Sequence, residues 1–300
     1  GLAVTTGIKN TLVGSFVGKA ITSGGENTAF GYAALTTDTL GSHNTALGRS
    51  ALEAQNFTTA TDANNTAVGH LAGAAVTTGV ENTLIGSLAG DSLTDADLNV
   101  VVGTSALTSD TLGSRSIAIG YKALEKQNFT TATDTYNTAV GHAAGNKITT
   151  GVQNTLLGGL AGDAITTANN NVAVGYGSLS GCQQGALNVA VGVGALQVAN
   201  PSGAVDTYNT AVGFDAGNSV STGTNNTLIG GNAGKLLSTG KVNTFIGTAV
   251  GPACTTGVQN TGVGGGEVGV SPAALNGLTE GNNNSALGHS AGSSITTGSN

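Results

Sequence analysis

The chain has 300 residues, a net charge of −7, only 8% charged side chains, no Met or Trp, and 50 glycines. It offers no basic patch to neutralise phosphates, which excludes nucleic-acid binding, and no apolar run approaching the roughly 18 residues of a membrane-spanning helix. Glycine at this density, at about 1 kcal/mol each against Ala, also excludes a helical fold.

The predicted elements follow one ruler. An Asn-Thr-small-apolar-Gly pattern starts at Asn10, Asn27, Asn44, Asn65, Asn82, Asn99, Ser116, Asn137, Asn154, Asn171, Asn188, Asn209, Asn226, Asn243, Asn260 and Asn284. The step is 17 residues, lengthened to 21 before Asn65, Asn137 and Asn209 and to 24 before Asn284. Asn65, Asn137 and Asn209 therefore lie 72 apart, a second period laid over the first. So short a repeat predicts stacked units without one central core. Residues 1–300 read as a single continuous array of about sixteen coils. Because it opens and closes in mid-pattern, it reads as a slice of a longer protein whose flanking or capping domains cover the strand edges at its ends.

With the Asn counted as position one, position two is Thr or β-branched (Thr66, Ile117, Val172) and position four is a sizeable apolar residue (Val13, Phe30, Leu47, Val68, Ile85). Two and four share a face of an extended segment, which predicts a strand. Position four is then the large side chain of each coil. Position five is always Gly, including Gly69, Gly141 and Gly213, and ends the strand at a corner. Ala-Gly or Ala-Leu follows at positions eight and nine, the choice tracking the 72-residue period. Position twelve is mostly apolar in the Gly-type units (Val76, Ile148, Ile165), and Thr-Thr-Gly or a close variant returns the chain to the next Asn. The fold expected is an all-β parallel β-solenoid with 17-residue coils and a 72-residue superrepeat. At about 4.8 Å per strand, sixteen coils would span roughly 75 Å. The Asn column (Asn65, Asn82, Asn137, Asn154, Asn209, Asn226) is expected to form a hydrogen-bonded ladder from coil to coil.

Position three is apolar too (Leu12, Ala29, Leu84, Val101, Leu156, Leu228, Phe245). A strand apolar on both faces calls for burial on both, one inside the coil and one against a partner. The chain itself is the economical partner, as a homotrimer sharing a core.

Three units carry a resemblance: Asn44-Thr-Ala-Leu-Gly-Arg-Ser-Ala-Leu52, Asn65-Thr-Ala-Val-Gly-His-Leu-Ala-Gly73 and Ser116-Ile-Ala-Ile-Gly-Tyr-Lys-Ala-Leu124. They resemble the repeat arrays of bacteriophage tail fibres and the head repeats of trimeric autotransporter adhesins. The resemblance implies a left-handed parallel β-roll trimer at a virion surface or outside the cell. The function expected is a non-enzymatic structural and adhesive fibre: a phage receptor-binding shaft or, alternatively, a bacterial surface adhesin. An ice-binding solenoid is a third alternative, raised by Thr77-Thr78, Thr149-Thr150, Thr166-Thr167 and Thr255-Thr256. Adjacent Thr residues point to opposite faces, however, whereas an ice face wants them on one.

No catalytic constellation emerges, and no cofactor motif. His70, His142 and His289 recur at position six, where three copies around a trimer axis could hold a metal. The four-residue extensions are the candidate surface-binding loops for a cell-surface glycan; the alternative is a longer corner closed by Phe57 or Phe129 packing back onto the stack. Asn56, Phe57 and Asp62 recur as Asn128, Phe129 and Asp134, with Asp206 ending the segment 200–206 in the third slot. As binding loops they predict that Phe129→Ala leaves the fold intact, whereas Gly141→Val disrupts its coil. The longer insertion between Gly264 and Asn284 is a further candidate loop. Cys182 and Cys254, 72 residues and four coils apart, are too distant to bridge and read as buried thiols in place of Val or Ile.

Overall fold

Three-residue strands repeat along the chain in a computed structural model that describes residues 3–201, 203, 205–267 and 271–299. All regular elements among these residues are β, and none is helical. The architecture is a parallel β-solenoid, and the chain divides into two compact units, Gly1–Thr150 and Gly151–Asn300. In the first unit, strands Thr11–Val13, Thr28–Phe30, Thr45–Leu47, Thr66–Val68, Thr83–Ile85, Val100–Val102, Ile117–Ile119 and Thr138–Val140 pair in chain order. Each strand lies parallel to the next with like positions opposite, as in Thr66↔Thr83, Ala67↔Leu84 and Val68↔Ile85. In the second unit, Thr155–Leu157, Val172–Val174, Val189–Val191, Thr210–Val212, Thr227–Ile229, Thr244–Ile246, Thr261–Val263 and Ser285–Leu287 do the same.

The turns are stacked as tightly as the strands. Gly73 N–H donates to the Ala89 carbonyl, Gly90 N–H to that of Ala106 and Leu107 N–H to that of Ala123, each at 3.0 Å. The backbone polar groups of a coil are thus satisfied by its neighbours around most of its circuit, so the fold needs no helix and little side-chain bulk.

The faces are reversed relative to the expectation that position four fills the coil. Position three is fully buried (Leu84, Val101, Leu156, Leu228 and Phe245 all at 0% exposure), while Phe30 at 54% and Leu47 at 44% point outward from position four. The reason lies at position one. Asn65, Asn82, Asn99 and their equivalents are buried, and period-two alternation puts position three on the same face as position one. Burial of the amide is tolerated because it is saturated. Asn82 Nδ2 donates to the Ala96 carbonyl at 2.7 Å, while Asn65 Oδ1 accepts from Asn82 N–H at 2.9 Å. The same pair recurs where Asn226 N–H meets Asn209 Oδ1 at 3.1 Å and Asn226 Nδ2 meets the Gly240 carbonyl at 2.9 Å. Asn154 Nδ2 likewise reaches the Ala168 carbonyl at 2.9 Å. At Ser116 the column changes chemistry. Ser116 Oγ lies 2.6 Å from Thr135 Oγ1, while Asn137 Nδ2 donates to Gln127 Oε1 at 2.9 Å just as Asn65 Nδ2 does to Gln55 Oε1.

Core volume explains the alternation at position nine. Leu84, Leu156 and Leu228 at position three are matched by Gly90, Gly162 and Gly234 in the same coils, whereas Ala29, Ala46, Ala118 and Ala190 are matched by Leu35, Leu52, Leu124 and Leu196. A Cβ on Gly90 would sit 2.9 Å from Leu84 Cδ2 and 2.8 Å from Leu93 Cδ1. Where both positions are small, as at Ala67 and Gly73, the neighbouring coils fill the space: a Cβ on Gly73 would sit 2.6 Å from Leu84 Cδ1 and 3.1 Å from Leu52 Cδ2. The leucines that take the position-nine role are held in the left-handed region, with φ of 50° at Leu35 and 51° at Leu124. That conformation costs a β-carbon residue about 1 kcal/mol or more, which the buried leucyl group offsets at roughly 2 kcal/mol.

The long steps do not leave the stack. Thr61–Asp62 pairs parallel with Gly41–Ser42, Thr133–Asp134 with Gly113–Ser114, and Val205–Asp206 with Gly185–Ala186.

Candidate functional site

The outward face of the main strands is the most extensive surface feature of each unit. Its two columns are position two (Thr45, Thr66, Thr83, Val100, Ile117) and position four (Leu47, Val68, Ile85, Val102, Ile119), continued in the second unit by Thr210, Thr227 and Thr244 beside Val212, Ile229 and Ile246. No charged residue interrupts either column. The residues are intermediate or exposed, yet the backbone that presents them is rigidly paired.

The loop candidates follow the alternative reading, a corner closed from within. Phe57 and Phe129 are buried, at 5% and 7% exposure, and cannot offer a ring to a ligand. Their backbones are held as well: Phe129 N–H donates to Asp110 Oδ1 at 2.9 Å, and its carbonyl accepts from Thr111 Oγ1 at 2.7 Å. Asn56 and Asn128 lie beside them, each with Oδ1 accepting a Thr hydroxyl, Thr39 at 3.0 Å and Thr111 at 3.4 Å. Asp62 lies 3.1 Å from His43 Nδ1, Asp134 pairs with Arg115, and Asp206 accepts from the Tyr208 hydroxyl at 3.2 Å. Asp206 also pushes the Tyr208 phenol upward through its negative charge and that hydrogen bond. In the third slot Pro201 is buried where the others have Phe, while Ser202 and Ala204 lie outside the described residues. The same holds for Val268, Gly269 and Val270 of the longer insertion. The aromatic side chains close the corner against the stack. Phe129→Ala is therefore expected to destabilise the coil by about 3 kcal/mol, contrary to the intact fold expected of a binding loop; an unchanged urea midpoint would remove Phe129 from the core.

Beneath these loops lie buried polar groups that sequence reasoning missed. Asp38 and Asp110 are fully buried. Asp110 Oδ1 accepts from Gly113 and Phe129 N–H at 3.2 and 2.9 Å, and its Oδ2 accepts from Gln127 Nε2 at 2.6 Å. Asp38 is held likewise by Gly41 N–H at 3.0 Å and Gln55 Nε2 at 2.7 Å. The next members of this 72-residue column are Cys182 and Cys254. The thiols thus take a position that carries a carboxylate at Asp38 and Asp110 and an aliphatic side chain at Val76, Ile148 and Ile165. Both are free and buried, and desolvation pushes each up to about 11. They stay protonated and poorly nucleophilic at neutral pH.

The three position-six histidines are exposed and lie in separate coils. His70 Nε2 is 2.9 Å from Arg49 Nη1, His142 stacks on Tyr121 with centroids 5.5 Å apart, and His289 Nδ1 is 2.9 Å from Ser290 Oγ. Among the described residues no three His, Cys, Asp or Glu side chains are grouped as metal ligands. In the Thr doublets, the first hydroxyl is engaged within the stack: Thr77 donates to the Thr94 carbonyl and Thr255 to that of Thr279, both at 3.2 Å. Among the described residues no helix is long and apolar enough to cross a membrane. No family model, curated protein or solved structure matches the chain.

Proposed function

We propose that this chain is a non-enzymatic segment of an extracellular or virion-borne fibre, a phage receptor-binding shaft, in which three copies bury their position-two and position-four columns around a shared axis. One observation carries the reading: an uncharged apolar column, half exposed and in strict register, runs along the outward face of each unit. Burial of a Val or Ile at such a contact stabilises by about 1.5 kcal/mol or more per side chain, and the register repeats that gain coil after coil. Because the same columns recur in every copy, the face is complementary to itself. The number three follows from the resemblance to trimeric adhesin heads. The 72-residue superrepeat would set identical surface features at fixed intervals along the fibre, so that weak contacts add through avidity.

Light scattering tests the assembly. A mass near three times 28.9 kDa is expected for the wild type, falling to the single-chain mass in a Val68→Asp/Val212→Asp variant that retains its β signature. A wild-type monomer would overturn the trimer. It would also leave the Thr and aliphatic columns open to water, the arrangement an ice-binding solenoid needs, and thermal hysteresis would then be the measurement to make.

A further inference from the structure

Position six carries a second surface feature, at the corner beyond the Gly rather than on the strand face. Tyr32, Arg49 and His70 occupy it in three successive coils, tied by Ser50 N–H to the Tyr32 carbonyl and Leu71 N–H to the Arg49 carbonyl, both 2.9 Å. Tyr32 is half exposed and meets Phe16 edge to face, with centroids 5.7 Å apart; Lys19 Nζ lies 5.7 Å from the Phe16 centroid. Two aromatic rings and two cations therefore share one edge, with His70 closing the row.

Charge accounting sets this edge apart. Of the nine Lys and Arg residues, Lys9, Arg115, Lys122, Lys126 and Lys235 are paired with carboxylates. Lys19, Arg49, Lys147 and Lys241 form no ion pair among the described residues; of these four, Lys19 and Arg49 lie at this edge, and Lys147 and Lys241 stand in other coils. Arg115, the only other arginine, is matched by Asp134, so in an acidic chain Arg49 stands out as a guanidinium that no carboxylate neutralises. Arg can only donate, so in this 2.9 Å contact His70 Nε2 is the acceptor. The contact orients the guanidinium and leaves its remaining N–H groups facing solvent.

We infer that the Phe16–Lys19–Tyr32–Arg49–His70 edge is a binding site for an acidic carbohydrate, a uronate-bearing oligosaccharide. A sugar carboxylate matches the planar fork of Arg49 in bidentate fashion, and the C–H face of the ring stacks on Tyr32 with Phe16 behind it. Lys19 adds a second positive charge at one end. From Tyr32 to His70 is two coil spacings, about 10 Å, room for a short stretch of an extended glycan. Two cations are too few to hold a polyphosphate, whose binding grows with each phosphate neutralised. The site deepens the adhesive part of the function proposed above and rests on that reading, but all five residues belong to one chain.

Titration calorimetry with oligogalacturonate, against neutral dextran and single-stranded DNA, tests it on the whole chain. Oligogalacturonate is expected to bind, with affinity falling at least tenfold in Arg49→Ala and in Tyr32→Ala, and Arg49→Lys failing to restore it. Melting temperature and light-scattering mass are read on every variant, so a loss of assembly is separated from a loss of binding. The inference is overturned if oligogalacturonate binds no better than dextran, if Arg49→Ala binds like wild type, or if DNA binds as well as the uronate.

Discussion

Gly213→Ala is expected to lower stability by about 3 kcal/mol or more, while Gly231→Ala a coil away changes it by no more than about 0.5 kcal/mol. Gly213 has φ of +139°, where a β-carbon is strained whatever the space around it. Space is absent as well: a Cβ there would sit 2.6 Å from both the carbonyl carbon and oxygen of Gly230 and 2.9 Å from Gly231 N. These are backbone atoms and cannot rotate away. Gly230 N–H donates to the Val212 carbonyl at 2.8 Å, so moving the next coil breaks the ladder that holds it. Gly231 has only the Phe214 carbonyl oxygen near its would-be Cβ, at 3.9 Å. Paired urea denaturation curves decide the matter, and coincident midpoints for the two variants would mean the corner is not a close approach. The same corner recurs at Gly69 and Gly141, with φ of +142° and +141°, so Gly141→Val belongs with Gly213→Ala.

That corner was legible in the sequence because a requirement of the backbone returns at every coil and only Gly meets it. Strand position and parallel register were legible for the same reason: a fixed period places Thr66 beside Thr83 whatever the side chains contribute. The choice of inner face was not. Asn looks like a turn residue and Val68 like core, so alternation starting from Val68 pointed the wrong way. Once the Asn65–Asn82 amides saturate one another inside the stack, position three must lie inside with them. The Gly or Leu choice at position nine showed in the sequence as a period, but its cause, the space left by position three of the same and neighbouring coils, needed the opposing wall. The left-handed leucines Leu35 and Leu124 gave no signal, since nothing in their identity suggests positive φ.

The polar groups beneath the loops did leave a trace. Asp38 and Asp110 become Cys182 along the 72-residue column, and Gln55 and Gln127 become Ala199 along theirs, so the two positions change together within one chain. For Phe57 and Phe129 the sequence left two readings, a ring offered to a ligand or a ring closing a longer corner; their burial favours the second, and the Asp110 carboxylate draws the Phe129 backbone inward.

The paired change predicts a strong coupling at Asp110 and Gln127. Gln127→Ala removes a 2.6 Å donor from a fully buried carboxylate, and with it the hydrogen bond from Asn137 Nδ2 to Gln127 Oε1. A buried charge that loses one of its hydrogen-bond partners is costly, and the expected loss is about 3 kcal/mol. Asp110→Cys alone is also destabilising, by about 1–2 kcal/mol, because the Gly113 and Phe129 N–H groups lose their carboxylate acceptor and the Gln127 amide keeps only Ser116 Oγ. The double variant Asp110→Cys/Gln127→Ala should be more stable than Gln127→Ala, since it recreates what the chain already uses 72 residues later. There Cys182 is buried, its thiol donates to the Gly185 carbonyl at 3.3 Å, and Ala199 is buried beside it in sequence register. The expected coupling energy is about 2 kcal/mol, within the range for residues that share a network. Urea denaturation of the four proteins measures it directly. If the two single losses simply add, the carboxylate and the amide act independently, and the joint change along the chain has another origin.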